Sequence, residues 1–386
     1  MKYNFDKIID RRGTASLKWD VTKEGELPMW VADMDFAAAP AIREALEKRL
    51  QHGVFGYNII PDEWYDAYIQ WWERRHQLRI SREMLLFSTG VIPSLAAIIR
   101  AMTAEGDSVL VQSPVYNAFY HIIHDAGRTV VENRLLYKNG VYTMDFDDLE
   151  KKLKAPSTTM MVLCNPQNPT GNIWTKRELA RIAKLCRDNN VFVVSDEIHC
   201  DITVPGTAYT PFLTVGEDAE VNSVTLVAPT KCFNLAGLQT SAVIAADRDI
   251  CKRVKEALSL GQCSMPNTFS VTAAMAAFNE SAEWLDEMNA YIAQNKQTVY
   301  QYLAESLPAV KAVKSDATYL LWLDCTAYGL SGEALFTHIR KESGLFVLAG
   351  EEYGSGGEGF LRLNVACPRA LLQDGLSRLK ASLDNL

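Results

Sequence analysis

The sequence predicts an α/β fold, a mostly parallel sheet covered by helices on both faces and joined to a smaller α+β lobe. Three observations predict it. Between residues 45 and 285, short apolar runs alternate with longer amphipathic ones. The short runs are apolar at nearly every position, as strands buried on both faces must be, whereas a half-exposed strand would alternate. Beyond residue 285 the rhythm changes to one long helical stretch followed by short strands around a single helix.

In chain order, Met84 to Ser88 predicts a strand and Pro93 to Met102 the helix after it. Asp107 to Gln112 is a second strand, followed by an aromatic helix near Asn117 to His124. Met160 to Cys164 and Val191 to Ser195 are strands separated by the helix Lys176 to Asp188, and Val224 to Ala228 and Ala242 to Ala246 add two more. Ser281 to Glu305 predicts a long helix joining two lobes. Tyr319 to Asp324, Leu345 to Leu348 and Phe360 to Asn364 then form strands around the helix Glu333 to Lys341. The expected division is a large domain at 45–285 and a small one built from 1–44 and 286–386.

Composition excludes several classes of function. The 386 residues are 48% hydrophobic, enough for a body burying about three quarters of its extended surface. Lysine and arginine total 39 against 47 acidic residues, a net charge of −8, so no broad nucleic-acid surface is expected. The densest basic patch, Arg74, Arg75 and His76 with Arg79 and Arg82, reads as a solvated helix end. Eight dispersed cysteines show no CxxC and no metal spacing, which predicts reduced thiols and no metal site. The amino terminus lacks the apolar stretch of a signal peptide, and no uncharged apolar segment reaches the roughly 18 residues of a membrane span. A cytoplasmic protein is expected.

Chemistry-bearing residues gather after the predicted strands, where open parallel sheets bind ligands. Ser88-Thr89-Gly90-Val91-Ile92-Pro93 turns into a helix whose first N–H groups make an anion site suited to phosphate. The spacing GxGxxG occurs at Gly354 to Gly359, but it runs into a strand instead of opening a helix, so it fails as a dinucleotide fingerprint. Cys164 to Gly171 holds two Asn-Pro steps, which aim side-chain amides at something specific. Ser195-Asp196-Glu197-Ile198-His199 places a carboxylate pair just beyond an apolar run, where neither belongs without a partner. Lys231 stands among apolar and small residues after Val224 to Val227, and burial there would lower its pKa toward the neutral amine that Schiff-base chemistry needs. A phosphate-binding helix end, an amide, an acid for a ring nitrogen and an amine for an aldehyde together are what pyridoxal 5′-phosphate requires.

The set resembles the fold-type I pyridoxal-phosphate transferases of the aspartate aminotransferase superfamily. More narrowly it resembles their cystathionine β-lyase (C–S lyase) branch. The resemblance is carried by Met29 to Phe36, Phe55-Gly56-Tyr57, Cys164 to Gly171, Ser195 to His199, Lys231 to Gln239, and Leu361 to Asn364 running into Cys367-Pro368-Arg369. It implies a seven-stranded sheet and a homodimer with shared active sites. It also implies Lys231 as the cofactor-binding base, Asp196 at the pyridine nitrogen, Asn168 at the ring oxygen and Tyr116 stacked on the ring and acting in catalysis. Val91, Ile92 and Thr230 would hold the phosphate, joined by Tyr57 from the partner. Arg362 would clamp the substrate carboxylate, with Asp33 and Tyr57 also facing substrate. His199 either serves the ring oxygen or supports Asp196.

Two departures from the aminotransferases are visible: Ala228 and Gln239 stand where many carry a phosphate-binding serine and arginine. The implied reaction is β-elimination at the carbon–sulfur bond of L-cystathionine or related S-conjugates, giving thiol, pyruvate and ammonia. The alternative is transamination to a 2-oxo acid. Three further choices stay open on sequence. Trp30 and Phe36 either line an entrance or pack. The 353–359 stretch is either a mobile cover or a connection. Arg369 either meets substrate or braces Arg362, and the brace is favoured.

Overall fold

The computed structural model describes residues 1–386, whose larger sheet has seven strands. They are β1 (Leu85–Ser88), β2 (Ser108–Val111), β3 (Thr129–Glu132), β4 (Thr158–Cys164), β5 (Phe192–Asp196), β6 (Ser223–Val227) and β7 (Ser241–Ile244). Their order across the sheet is β1-β7-β6-β5-β4-β2-β3, with only β7 running against the others. The central strands are buried at every position, which is why their sequences do not alternate. The seventh strand, β3, was not legible. Thr129-Val130-Val131-Glu132 is short, polar at both ends and partly exposed at the sheet edge.

The register aligns the strand ends: Cys164 pairs with Asp196 and Asp196 with Leu226, so the residues following β4, β5 and β6 emerge at one edge. Helix α1 (Val91–Met102) starts three residues beyond β1 at the same edge. Helix α2 (Lys176–Asp188), opened by a reciprocal Thr175–Glu178 cap, returns the chain from β4 to β5.

The other sheet has four antiparallel strands, Lys311–Ala312, Leu320–Asp324, Phe360–Asn364 and Leu348–Ala349, in that order. It follows the long helix Ala282–Ser306. The predicted strand Leu345 to Leu348 is two short ones, because Leu345–Phe346 leaves this sheet to pair in parallel with Leu27–Pro28. The amino-terminal segment is thereby sewn down, and the side chain of Asn364 donates to the carbonyls of Val31 and Asp33.

Asn234, at φ 58°, accepts from Met34 N–H and donates to the carbonyls of Met34 and Phe36, so one amide side chain replaces a strand partner for 34–36. Beneath lies an ionic cluster. Buried Lys18 meets Asp35 at 2.7 Å, and Arg11 reaches Asp35 at 2.7 Å and both oxygens of Asp33. Each charge of this cluster is paired, which offsets the cost of its desolvation.

Three readings are corrected or settled here. His76 is no solvated helix end: its Nε2 lies 2.9 Å from the buried Asp201 carboxylate. The glycine-rich 354–359 stretch is a packed connection. A Cβ on Gly354 would fall 1.9 Å from the Tyr120 hydroxyl, and Ser355 bonds Ser113 at 2.8 Å and, through its N–H, Glu132. Arg369 is not the expected brace for Arg362: its side chain bonds Thr298 and covers the Tyr291 ring, so it braces the long helix. All eight cysteines are free and buried, and no helix is long and apolar enough to cross a membrane.

Candidate functional site

A cavity of ≈170 Å³ opens at the carboxyl edge of the parallel strands. Its walls bring together Val91, Ile92, Tyr116, Asn168, Asp196, His199 and Lys231, seven of the residues singled out in the sequence. Ala32, Gly90, Cys164 and Ile198 complete much of the wall. A larger open cleft of ≈720 Å³, bordered by Tyr65, Leu86, Arg248 and Lys255, contains none of these seven.

Lys231 sits one residue past the middle of a single helical turn, Pro229–Cys232, directly after β6. It keeps some solvent contact because it lines the cavity, yet protein surrounds it closely. Burial, reinforced by the nearby Arg362 cation and opposed by Asp33 and Asp196, lowers its pKa to about 8. Its Nζ donates to the carbonyl of Ala32 at 2.7 Å, an acceptor shared with the Tyr319 hydroxyl at 2.8 Å. Ala32 contributes only its main chain, so no side-chain pattern could have revealed it.

Asp196, the last residue of β5, is 4% exposed, has no cationic side chain within ion-pair distance and accepts only from Ile198 N–H. Burial raises its pKa to about 6. Glu197, facing the opposite way, is spent on structure: it accepts from Ser195, Phe212 N–H and Tyr209, fixing the chain behind β5. Burial raises it to about 7. The alternation of strand side chains thus separates a carboxylate for the cavity from one for the scaffold.

His199 lines the same cavity. It makes no hydrogen bond to Asp196, and its Nδ1 is buried without any partner. Burial, with Lys231, Arg362 and Lys296 nearby, lowers its pKa to about 3, so the imidazole is neutral.

Asn168 is set by a tightly held loop. Gly171, at φ 74°, accepts from Asp316 and Ala317 N–H, and a Cβ there would meet Ser315 Oγ at 2.0 Å. The Asn168 side-chain Oδ1 accepts a 3.3 Å bond from Arg362 Nη1.

Arg362 lies on the strand Phe360–Asn364 and is 3% exposed without an acidic partner. It donates to Asn168 and to the Trp30 carbonyl, stacks over Tyr353 at 5.1 Å and leaves its Nε unsatisfied. A buried guanidinium with spare donors is a receptor for an anion, and its planar fork suits a carboxylate.

These features fit pyridoxal phosphate. Asp196 is an unpaired buried carboxylate where a protonated ring nitrogen would satisfy it, and His199 Nδ1 is an orphan at the same wall. Helix α1 presents the N–H groups of its first turn, unpaired within the helix, beside Gly90.

Four predicted residues lie elsewhere. Thr230 is buried beside Lys231 but does not line the cavity, and Arg362 stands behind Asn168. Asp33 has both oxygens committed to Arg11. Tyr57 is fully exposed in an irregular segment with Val54, Phe55 and Ile59 also exposed. Trp30 packs, stacking flat on Phe346 at 4.9 Å, and Phe36 is buried in the core.

Comparison with known proteins places this arrangement. The profile described as aminotransferase class I and II matches residues 29–379. Cystathionine beta-lyase PatB of Bacillus subtilis is 47% identical, across 98% of this chain and 100% of its own. Cystalysin of Treponema denticola, whose crystal structure contains pyridoxal 5′-phosphate, superposes with a TM-score of 0.96 at 32% identity, covering both chains fully. The pyridoxal-phosphate-bound C–S lyase of Staphylococcus hominis gives 0.93 at 32% identity over 99% of each chain.

Proposed function

Because the chain belongs to the aminotransferase class I and II family, and within it to the carbon–sulfur lyase branch, we propose that it cleaves the Cβ–S bond of L-cystathionine and related cysteine S-conjugates. The enzyme uses pyridoxal 5′-phosphate and releases a thiol, pyruvate and ammonia. The observation that carries the cofactor chemistry is the meeting of a lysine of lowered pKa and an unpaired buried aspartate in one cavity, and the 47% identity to a cystathionine beta-lyase over 98% of the chain supports the lyase outcome.

When bound, the cofactor supplies the electron sink that makes the substrate Cα–H bond acidic. Lys231 is the group that holds it and the base that takes the Cα proton, since near neutral pH its amine is partly uncharged. Asp196 would keep a proton on the ring nitrogen, and Asn168 and neutral His199 would meet the ring oxygen. Tyr116 would cover the ring face, and the N–H groups of Val91 and Ile92, with the Thr230 hydroxyl, would receive the phosphate. Arg362 binds the α-carboxylate through its spare donors, which aligns the Cα–H bond. The electron pair of the Cβ–S bond leaves with sulfur, the thiolate takes up a proton, and water converts the remainder to pyruvate and ammonia. Asp33 supports the site by anchoring Arg11.

Incubation with L-cystathionine alone tests the reading: thiol and pyruvate should form in equal amounts without an acceptor. Amino transfer dependent on 2-oxoglutarate, with no thiol released, would make the chain an aminotransferase instead.

The same reading includes the two-domain division at 45–285 and a cytoplasmic homodimer. Unpaired cysteines support the compartment. Exposed Val54, Phe55, Tyr57 and Ile59, with Leu260 and Met265, supply apolar surface for a second copy, whose phosphate Tyr57 would reach. Mixed dimers check this. Chains carrying Tyr57→Ala and chains carrying Lys231→Ala, refolded together, should recover activity that neither has alone, because one site of each mixed dimer is intact. No recovery would remove Tyr57 from the partner's site.

A further inference from the structure

Next to the cavity wall at Tyr116 stands a charge the reaction does not use. Glu352 precedes Tyr353, whose ring lies under the Arg362 guanidinium. The strap they share is tied to the opposite wall, where Val115 N–H donates to the Tyr353 carbonyl at 2.9 Å and Asn117 Nδ2 donates to Glu352 Oε2 at 3.2 Å. Tyr116, a cavity residue, lies between those two donors in the chain. The Glu352 carboxylate is thereby held beside the residue that follows Tyr116, exposed, with a neutral amide as its one hydrogen-bonding partner and no cation within ion-pair distance. The protein around it raises its pKa, and the charges that act back on it are Arg362, behind Asn168, and His121, one helical turn beyond Asn117.

In the pose this inference takes, a substrate with its α-carboxylate on Arg362 would extend its sulfur-bearing arm past Tyr116 toward Glu352. An S-alkyl cysteine ends there in hydrocarbon. L-Cystathionine ends in a second amino-acid head, with an ammonium and a carboxylate. We infer that Glu352 is a specificity-determining residue that receives the distal ammonium of the substrate, with His121 beside the distal carboxylate, so that the enzyme selects S-conjugates ending in a zwitterionic head. This inference rests on the lyase reading. This position offers an unpaired anion next to a basic side chain, which is the complement of such a head and offers nothing to an alkyl group.

The test compares L-cystathionine with S-methyl-L-cysteine as substrates of the holoenzyme and of its Glu352→Gln variant, following pyruvate. Glutamine keeps the shape and can still accept from Asn117, and thermal melting checks that the variant is folded. The ratio of kcat/KM for cystathionine over S-methylcysteine should fall about tenfold, the worth of one charge-assisted hydrogen bond, mainly through KM for cystathionine. Glu352→Asp should restore part of it, and raised salt should lower the ratio for the wild type more than for the glutamine variant. An unchanged ratio, including one produced by equal losses on both substrates, would make Glu352 a brace for Asn117 and overturn the inference while leaving the lyase reading in place. A wild-type enzyme that yields no pyruvate from either substrate would overturn both.

Discussion

Replacing Lys231 by alanine is expected to lower kcat/KM about 10,000-fold, the upper range for loss of a positioned base. No second amine can take over. Buried Lys296 spends its ammonium on Ser315 and the Ala317 carbonyl, and buried Lys18 spends its own on Asp35. The variant should fold, because the wild-type chain bears the cost of desolvating an ammonium there, which is what lowers the pKa to about 8. It should still take up pyridoxal phosphate through α1, Asn168 and Asp196, now as the free aldehyde with a shifted visible absorbance. A small exogenous amine such as ethylamine should restore part of the turnover by occupying the vacated space beside Ala32. Undiminished activity in the alanine variant would remove Lys231 from the chemistry.

Replacing Asp196 by asparagine should cost about 1,000-fold in kcat, because the ring nitrogen loses the charge that keeps it protonated. The same change should stabilise the protein when no cofactor is present. A carboxyl whose folded-state pKa lies above its unfolded value costs stability wherever it is ionised. For Asp196, moved from 3.8 to about 6 by burial, the cost is full above pH 6 and absent below pH 3.8. Asparagine keeps the acceptor for Ile198 N–H and carries no charge. Denaturant unfolding of the apoprotein at pH 7.5 should therefore show a gain of up to about 3 kcal/mol, fading as the pH falls through 6. Equal stability at pH 7.5 would mean that Lys231 already neutralises the carboxylate. The pairing of lost turnover with gained stability is the mark of a group retained for function.

Much of this site could be read without coordinates. Lys231, Asp196, Asn168 and the helix end at Val91 each follow an apolar run, and a parallel sheet carries everything after its strands to one edge. Strand burial on both faces also explains why β2, β4, β5 and β6 were visible while edge strand β3 was not. Asp196 and Glu197 could not be told apart, because adjacent residues on a strand differ only in the face they take, and which face meets the cavity depends on the neighbours. Asp33 looked like a substrate contact by resemblance, and only the folded chain brings Arg11 onto it from 22 residues away.

The sequence alone determined the layer architecture and the class of cofactor, and it singled out the amine and acid proposed to serve it. These depend on local patterning and on residue types that no other arrangement uses. The tertiary structure alone decided that Ala32 presents its carbonyl to Lys231, that Arg362 is buried without an acid, and that Glu352 stands unpaired beside Asn117. Each of those is a contact or an absence of contact between segments distant in the chain, fixed when Asn234 and Asn364 tie the amino-terminal strip across the site and when Val115 and Asn117 draw in the 352–353 strap. Spacing in a sequence carries the period of an element. It does not carry the partner that a side chain finds after packing.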